Sequence, residues 1–190
     1  MEALEKRILT EGEIRPGGIL KVDGFLNHRI DPQLCFDMAQ ELKRLYEGSG
    51  VNKILTIEAS GIALGCMTGY VFRSPLVFAK KSKTKNISDS LWSVEVESFT
   101  HGNRNTVIVS KEYLGPGDRV LIVDDFLATG AALIGLKALV EQAGGTVVGA
   151  GIAIEKAFQG GGDTLRAQGL RVESLAKIAR MTDDGIEFCD

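Results

Sequence analysis

The sequence predicts an α/β protein with a mostly parallel sheet flanked by helices. Three observations carry that prediction. Short apolar runs at 53–57, 76–79, 119–123 and 147–154 alternate with segments of helical period. The runs read as buried strands, as in a sheet covered on both faces. No repeat, low-complexity tract or linker divides the 190 residues, so one domain spans 1–190.

The elements follow in order. Glu2 to Ile8 reads as a short helix with Leu4 and Ile8 on one face. Gly12 to Gly18 is a turn region, and Ile19 to Phe25 a short strand. Asp31-Pro32 starts a helix, with Asp as N-cap and Pro at the first helical position. Leu34, Met38, Leu42 and Tyr46 then recur at helical spacing until Gly48 and Gly50 end it. Lys53 to Ile57 is a strand. Gly61 to Phe72 is a helix whose small residues let it lie close on a sheet, and Leu76 to Ala79 is the next strand. Lys80 to Ser90, rich in Lys and Ser, reads as a loop. Val94 to Phe99 and Thr106 to Ser110 pair as a hairpin around His101-Gly102-Asn103. Arg119 to Val123 is a buried strand and Gly130 to Ala143 a helix ended by Gly144-Gly145. Val147 to Ile154 and Arg171 to Ala176 complete the sheet.

Composition narrows the function classes. The chain is 44% hydrophobic and 25% charged, with a formal net charge of −3. That balance argues against nucleic acid as a partner. Cys35, Cys66 and Cys189 are widely spaced and odd in number, which fits neither a disulfide framework nor a zinc site. No metal-ligand spacing accompanies His28 or His101, and no protein-held metal site is expected. The longest uncharged apolar stretch, between Glu58 and Arg73, is broken by glycines and is shorter than the roughly 20 residues of a membrane span. The N-terminus has no apolar signal core. A soluble, cytoplasmic protein with no membrane partner is expected.

Open sheets of this kind bind ligands beyond the carboxyl ends of their strands. Two segments lie there: Glu58-Ala59-Ser60-Gly61, and Asp124 to Ala132 within VLIVDDFLATGAAL. Familiar site patterns are absent. There is no GxxxxGK[ST] run, Gly149-Ala150-Gly151 lacks the third glycine of a dinucleotide fingerprint, and Ser60 is not preceded by Gly at 58. What remains is a strand, two acids, and a small-residue turn feeding a helix N-terminus. Such a turn presents backbone N–H groups to an anion, helped by the helix dipole, and Thr129 adds a hydroxyl. Carboxylates beside a phosphate instead accept from sugar hydroxyls or hold magnesium. The ligand expected carries a phosphate and vicinal hydroxyls, as a ribose 5-phosphate does. Taken singly, each acid reads more readily as a turn cap, and Gly130 as a helix start; it is the two acids in succession before a small-residue turn that point to a ligand.

VLIVDDFLATGAA resembles the signature of type I phosphoribosyltransferases, which use 5-phosphoribosyl-1-pyrophosphate (PRPP). ILKVDGFLNHRIDP (19–32), IEASGIA (57–63) and IAIEKAFQ (152–159) resemble segments of the xanthine-using members, so the likeness covers essentially the whole chain. It implies the type I phosphoribosyltransferase fold, with a small hood formed by N- and C-terminal segments. It implies transfer of the phosphoribosyl group to a 6-oxopurine, xanthine by preference, in purine salvage, with XMP and pyrophosphate as products. Asp124 and Asp125 would bind the ribose hydroxyls, directly or through Mg2+ carried with PRPP. Ala128, Thr129, Gly130, Ala131 and Ala132 would hold the 5-phosphate, and Ala59, Ser60 and Gly61 the pyrophosphate. Leu20, Asn27 and Lys156 would bind the purine. Thr129 departs from the Asn often found there in xanthine-type relatives, but both donate to phosphate.

The resemblance also implies a homodimer, and a lysine loop closing over PRPP. It leaves open which of Lys80, Lys81, Lys83 and Lys85 reaches the pyrophosphate, and whether across a dimer interface. Lys156, otherwise an ordinary surface lysine, becomes a donor to the 6-oxo group and disfavours adenine, whose 6-amino group is itself a donor. Asn27 suits the 2-oxo group of xanthine, yet by rotating its amide also suits guanine. Phe158 stacks on the base or belongs to the hood, and Trp92 has no assigned role. The rival readings are a phosphoribosyltransferase for guanine or hypoxanthine, a non-catalytic PRPP-binding regulator, and an RNA-binding module using the lysine loop.

Overall fold

The computed structural model describes residues 1–81, 90–97, 104–183 and 185–189. Helix α1 (Glu2–Glu11) leads into a two-stranded antiparallel ribbon, β1 (Glu13–Arg15) and β2 (Ile19–Lys21). A π-helical turn, Asp23–Asn27, follows. The strand expected from Ile19 to Phe25 therefore stops at Lys21. Phe25 and Leu26 are fully buried side by side, which a helical turn permits and alternating strand geometry does not. The other elements are α2 (Pro32–Leu45), β3 (Lys53–Ile57), α3 (Gly61–Phe72), β4 (Leu76–Ala79), β5 (Leu91–Glu97), β6 (Arg104–Ser110), β7 (Arg119–Leu127), α4 (Ala131–Gln142), β8 (Thr146–Lys156), α5 (Gly161–Ala167), β9 (Val172–Thr182) and β10 (Gly185–Phe188).

Six strands form the central sheet in the order β10-β9-β8-β7-β3-β4. All neighbours run parallel except β10, which returns antiparallel to β9. The period-2 alternation of β7 builds two cores at once. Leu121 and Val123 join Leu4, Met38, Leu42 and Leu64 from α1, α2 and α3 on one face. Val120 and Ile122 join Leu133, Leu136, Leu139 and Val140 from α4 on the other. This is the layered α/β architecture expected, with α1 lying against β9.

Local sequence explains several details. The Asp31 carboxylate accepts from the backbone N–H groups of Gln33 and Leu34, both at 3.1 Å, and Pro32 opens the helix. At the other end of α2, the Tyr46 hydroxyl is directed at Ala150 O (2.9 Å) and Arg171 O (3.2 Å). Gly149 and Gly151 are glycines for this packing, not for a nucleotide. A Cβ on Gly149 would sit 2.6 Å from the Tyr46 hydroxyl, and one on Gly151 would sit 2.7 Å from Leu42 Cδ2. Trp92 is structural: its indole N–H donates to Leu114 O at 2.9 Å. The expected hairpin is β5–β6, starting earlier than anticipated at Leu91. Its turn, with Phe99 and His101, lies outside the described residues, as do Lys83 and Lys85.

Candidate active site

Strand β7 runs to Leu127, four residues beyond the end expected at Val123. The reason is its neighbour: β8 continues to Lys156, so Phe126 pairs with Ile154 and Leu127 with Glu155. Asp124 and Asp125 thus sit on a strand rather than in a loop, and only 5% and 7% of their surface is exposed. The turn shrinks to Ala128-Thr129-Gly130, and Ala131 and Ala132 form the first turn of α4. Gly130 takes φ 89°, a left-handed conformation that glycine adopts freely. Among the described residues no side chain caps α4, which leaves its first N–H groups to an anion.

A cavity of about 220 Å³ gathers the expected phosphate and ribose residues. Asp124, Asp125, Ala128, Thr129, Gly130, Ala131 and Ala132 line it from one side and Ser60 from the other. Ala59 and Gly61 flank Ser60 on the same turn without lining the cavity. The Glu58–Ala59 peptide there is cis. Gly61 opens α3 against the acids: a Cβ on it would meet Thr56 Oγ1 at 2.1 Å and Asp124 Oδ1 at 2.9 Å. Burial, and then the neighbouring Asp125 carboxylate, raise Asp124 well above the usual carboxylate range. Its Oδ1 accepts from the Asp125 backbone N–H at 3.0 Å.

Of the residues expected at the base, Lys156 is the one with a contact toward the Leu20 segment. Lys156 ends β8, and its ammonium donates to Gly18 O at 2.9 Å, in the turn just before Leu20. Burial holds its pKa below the ordinary lysine value. The same ammonium stands 5.6 Å from the centre of the Phe126 ring. Phe126 also lines the cavity beside Asp124 and Asp125, and so links Lys156 to it. Leu20 is buried, and the Asn27 amide oxygen is buried with no hydrogen-bond partner among the described residues. Phe158 is 45% exposed.

Among the lysines left open, the structure separates two. Lys81 lines the cavity, and its backbone N–H donates to Glu58 Oε1 at 2.8 Å. Lys80 instead lies 5.8 Å from the Phe78 ring centre. The sequence reading gave no role to Phe126, nor to α5, whose first residue lies on the Ala128-Thr129-Gly130 turn. A Cβ on Gly161 would stand 2.2 Å from Ala128 O and 2.4 Å from the Thr129 carbonyl carbon. The run Gly160-Gly161-Gly162 was the available signal, since consecutive glycines mark a close backbone approach.

The phosphoribosyl transferase domain model matches residues 23–163. A xanthine phosphoribosyltransferase of Finegoldia magna is 51% identical over 190 residues, covering 100% of both chains. One from Lachnoclostridium phytofermentans is 49% identical over 186 residues, 97% of this chain and 96% of its own. Among solved structures, an adenine phosphoribosyltransferase from Thermoanaerobacter pseudethanolicus superposes with TM-score 0.74 at 27% identity, covering 92% of this chain and 99% of that one. With a family match over most of its length and full-length relatives near half identical, the chain belongs to the phosphoribosyl transferase family.

Proposed function

We propose that this chain is a xanthine phosphoribosyltransferase, transferring the 5-phosphoribosyl group of PRPP to xanthine and releasing XMP and pyrophosphate. The observation that carries the reading is one cavity that joins two nearly buried carboxylates to an uncapped helix N-terminus. The 5-phosphate sits on the Ala128–Ala132 turn, and Asp124 and Asp125 take the ribose hydroxyls. The Ser60 turn, with Lys81 opposite, receives the pyrophosphate. The transition state resembles an oxocarbenium ion; with magnesium carried on PRPP favouring the ionised forms against the burial that raises Asp124, the two acids place negative charge beside it, and catalysis is largely positioning and electrostatics.

Magnesium fits this donor set as a substrate-borne ion. Among the described residues no group of three or more His, Cys, Asp or Glu is placed to hold a metal. Two carboxylates suit a cation that keeps substrate oxygens and water as its other ligands. When bound with PRPP, magnesium neutralises the departing pyrophosphate.

The residues expected at the base support xanthine. Lys156 offers donors only, matched to a 6-oxo group. The Asn27 amide pairs with a lactam edge, its orphaned oxygen accepting a ring N–H while its nitrogen donates to the 2-oxo group. Guanine presents a 2-amino donor instead, which the amide meets only by turning its oxygen toward that group and its nitrogen toward the ring N–H, a donor facing a donor.

The enzyme acts in the cytoplasm as a homodimer. No described helix is long and apolar enough to cross a membrane. Tyr70 on α3 is 75% exposed although that helix is apolar on all sides, and with Phe36 and Cys66 it lines an open groove that a second copy would cover. The decisive experiment is pyrophosphate release from PRPP with magnesium, against xanthine, guanine, hypoxanthine, adenine and uracil in parallel. Preference for xanthine is expected. Equal use of guanine overturns the base assignment, and PRPP binding without release from any base makes the chain a PRPP-binding regulator.

A further inference from the structure

Glu155 is a fully buried carboxylate on β8, next to Lys156. Arg166 of α5 holds it with two bonds, Nη1 to Oε1 at 2.9 Å and Nη2 to Oε2 at 2.6 Å. The Ser174 hydroxyl of β9 donates to Oε2 at 2.5 Å. Burial works against the charge, but the hydrogen bonds from Arg166 and Ser174 outweigh it and leave Glu155 below the usual carboxylate range. The guanidinium is itself held further, by Val172 O at 3.1 Å from Nε and Asp163 Oδ1 at 3.2 Å from Nη1. None of these groups lines the cavity or belongs to the residues expected at the base.

A buried ion pair is weak evidence of stabilisation, because apolar packing of similar volume does as well or better. Its location supplies the reason for it. A Cβ on Gly162 would stand 2.0 Å from Glu155 Oε1, so α5 rests its backbone on this carboxylate. The preceding residue, Gly161, rests on Ala128 and Thr129, and Leu165 Cδ1 would stand 3.0 Å from a Cβ on Gly130. Contacts thus run unbroken from the base lysine, through Glu155 and α5, to the turn proposed to hold the 5-phosphate. The Glu155 backbone also pairs with Leu127, the last strand residue before that turn.

We infer that Glu155 and Arg166 are a positioning pair, clamping α5 against the phosphate turn and so fixing that turn relative to Lys156. The inference rests on the reaction proposed above. It assigns the pair no contact with substrate, and loosening it releases the phosphate turn before it disturbs the base.

The test compares the parent enzyme with Glu155→Gln and with the double variant Glu155→Gln/Arg166→Met, which leaves no buried charge bare. PRPP binding with magnesium is measured by calorimetry, KM is measured separately for PRPP and xanthine, and folding is followed by thermal unfolding. The expected result is a rise of roughly tenfold or more in both Kd and KM for PRPP, with KM for xanthine changed less than about threefold, since small misplacements weaken bound geometry steeply. Arg166→Lys keeps the charge, folds, and shows a smaller rise. Folded variants that bind PRPP like the parent, with only a lowered Tm, overturn the inference. If the neutral variants do not fold, Gly162→Ala provides the reading: its methyl group forces α5 off Glu155 with both charges kept. The same split between PRPP and xanthine is expected, and its absence overturns the inference. A parent enzyme that neither binds PRPP nor releases pyrophosphate refutes the proposed reaction itself, a result distinct from unaltered variants of an active parent.

Discussion

Gly161→Ala gives the sharpest mutational prediction from the site. The added Cβ would lie 2.2 Å from Ala128 O, 2.4 Å from the Thr129 carbonyl carbon and 2.8 Å from Gly130 N. All three are backbone atoms of the turn proposed to hold the 5-phosphate, so none can swing aside as a flexible side chain would. Restoring an ordinary contact of 3.4 Å to Ala128 O takes about 1 Å of relative movement between α5 and the turn. A displacement of that size at a positioning element reduces rate by about a hundredfold, ~2.7 kcal/mol of transition-state stabilisation. Overpacking also lowers stability by roughly 1–3 kcal/mol, or roughly 2–4 °C in Tm per kcal/mol for a domain of this size. The assay is the initial rate of pyrophosphate release against PRPP at saturating xanthine, with thermal unfolding in parallel. Gly115→Ala is the control, since nothing lies within 4 Å of a Cβ there. It should change stability by no more than about 0.5 kcal/mol. A folded Gly161→Ala enzyme within about twofold of the parent kcat/KM would refute the assignment of α5 as the backing of the phosphate turn.

Changing Asp124 and Asp125 together to Asn should lower turnover by about a hundredfold or more while the fold persists; near-normal turnover removes them from the reaction. Lys156→Ala should raise KM for xanthine far more than KM for PRPP, and equal effects on both would argue against base contact. Asp124 keeps its proton in the folded chain at pH values where the unfolded chain has lost it. Its contribution to stability is therefore fully present below about pH 4 and declines as pH rises through its raised value. Tm measured across that range should fall less steeply in Asp124→Asn than in the parent, and a steeper fall would reverse the sign of the effect. Tyr46→Phe removes a buried hydroxyl bonded at 2.9 Å to Ala150 O and should destabilise by roughly 1 kcal/mol, with kinetic constants unchanged.

Much of this site was legible before the fold was known. Lys53–Ile57, Gly61–Phe72 and Leu76–Ala79 come out with the bounds read from the sequence, because apolar runs bounded by Gly and Pro admit few alternatives. The two acids and the small-residue turn also pointed to a phosphorylated sugar by their chemistry alone. Where the reading stopped short, a partner element decides the conformation. Asp124 and Asp125 look like loop residues until β8 is beside them to pair their backbone. Helix α5 begins with two glycines, poor helix formers, and forms because only a bare backbone fits between Glu155 and Ala128. Leu20, Asn27 and Lys156 are far apart in sequence, and no local pattern joins them. Resemblance alone grouped them. The structure brings Lys156 against the turn just before Leu20 and leaves Asn27 with an unpaired buried oxygen.

The sheet order has a consequence for the course of the reaction. Strand β7 lies between β3 and β8. The Ser60 turn follows β3, the two acids lie on β7, and Lys156 ends β8. Strands stand about 4.8 Å apart, so under the proposed reaction the substrate's three parts are laid across three adjacent strands, with the sugar on the middle one. The leaving group departs toward one neighbour while the incoming base is held by the other. If the sugar ring stands between the two so that attack and departure are in line, the configuration at the anomeric carbon inverts. The order β3-β7-β8 thus sets the direction of the displacement as well as supplying the groups that take part in it.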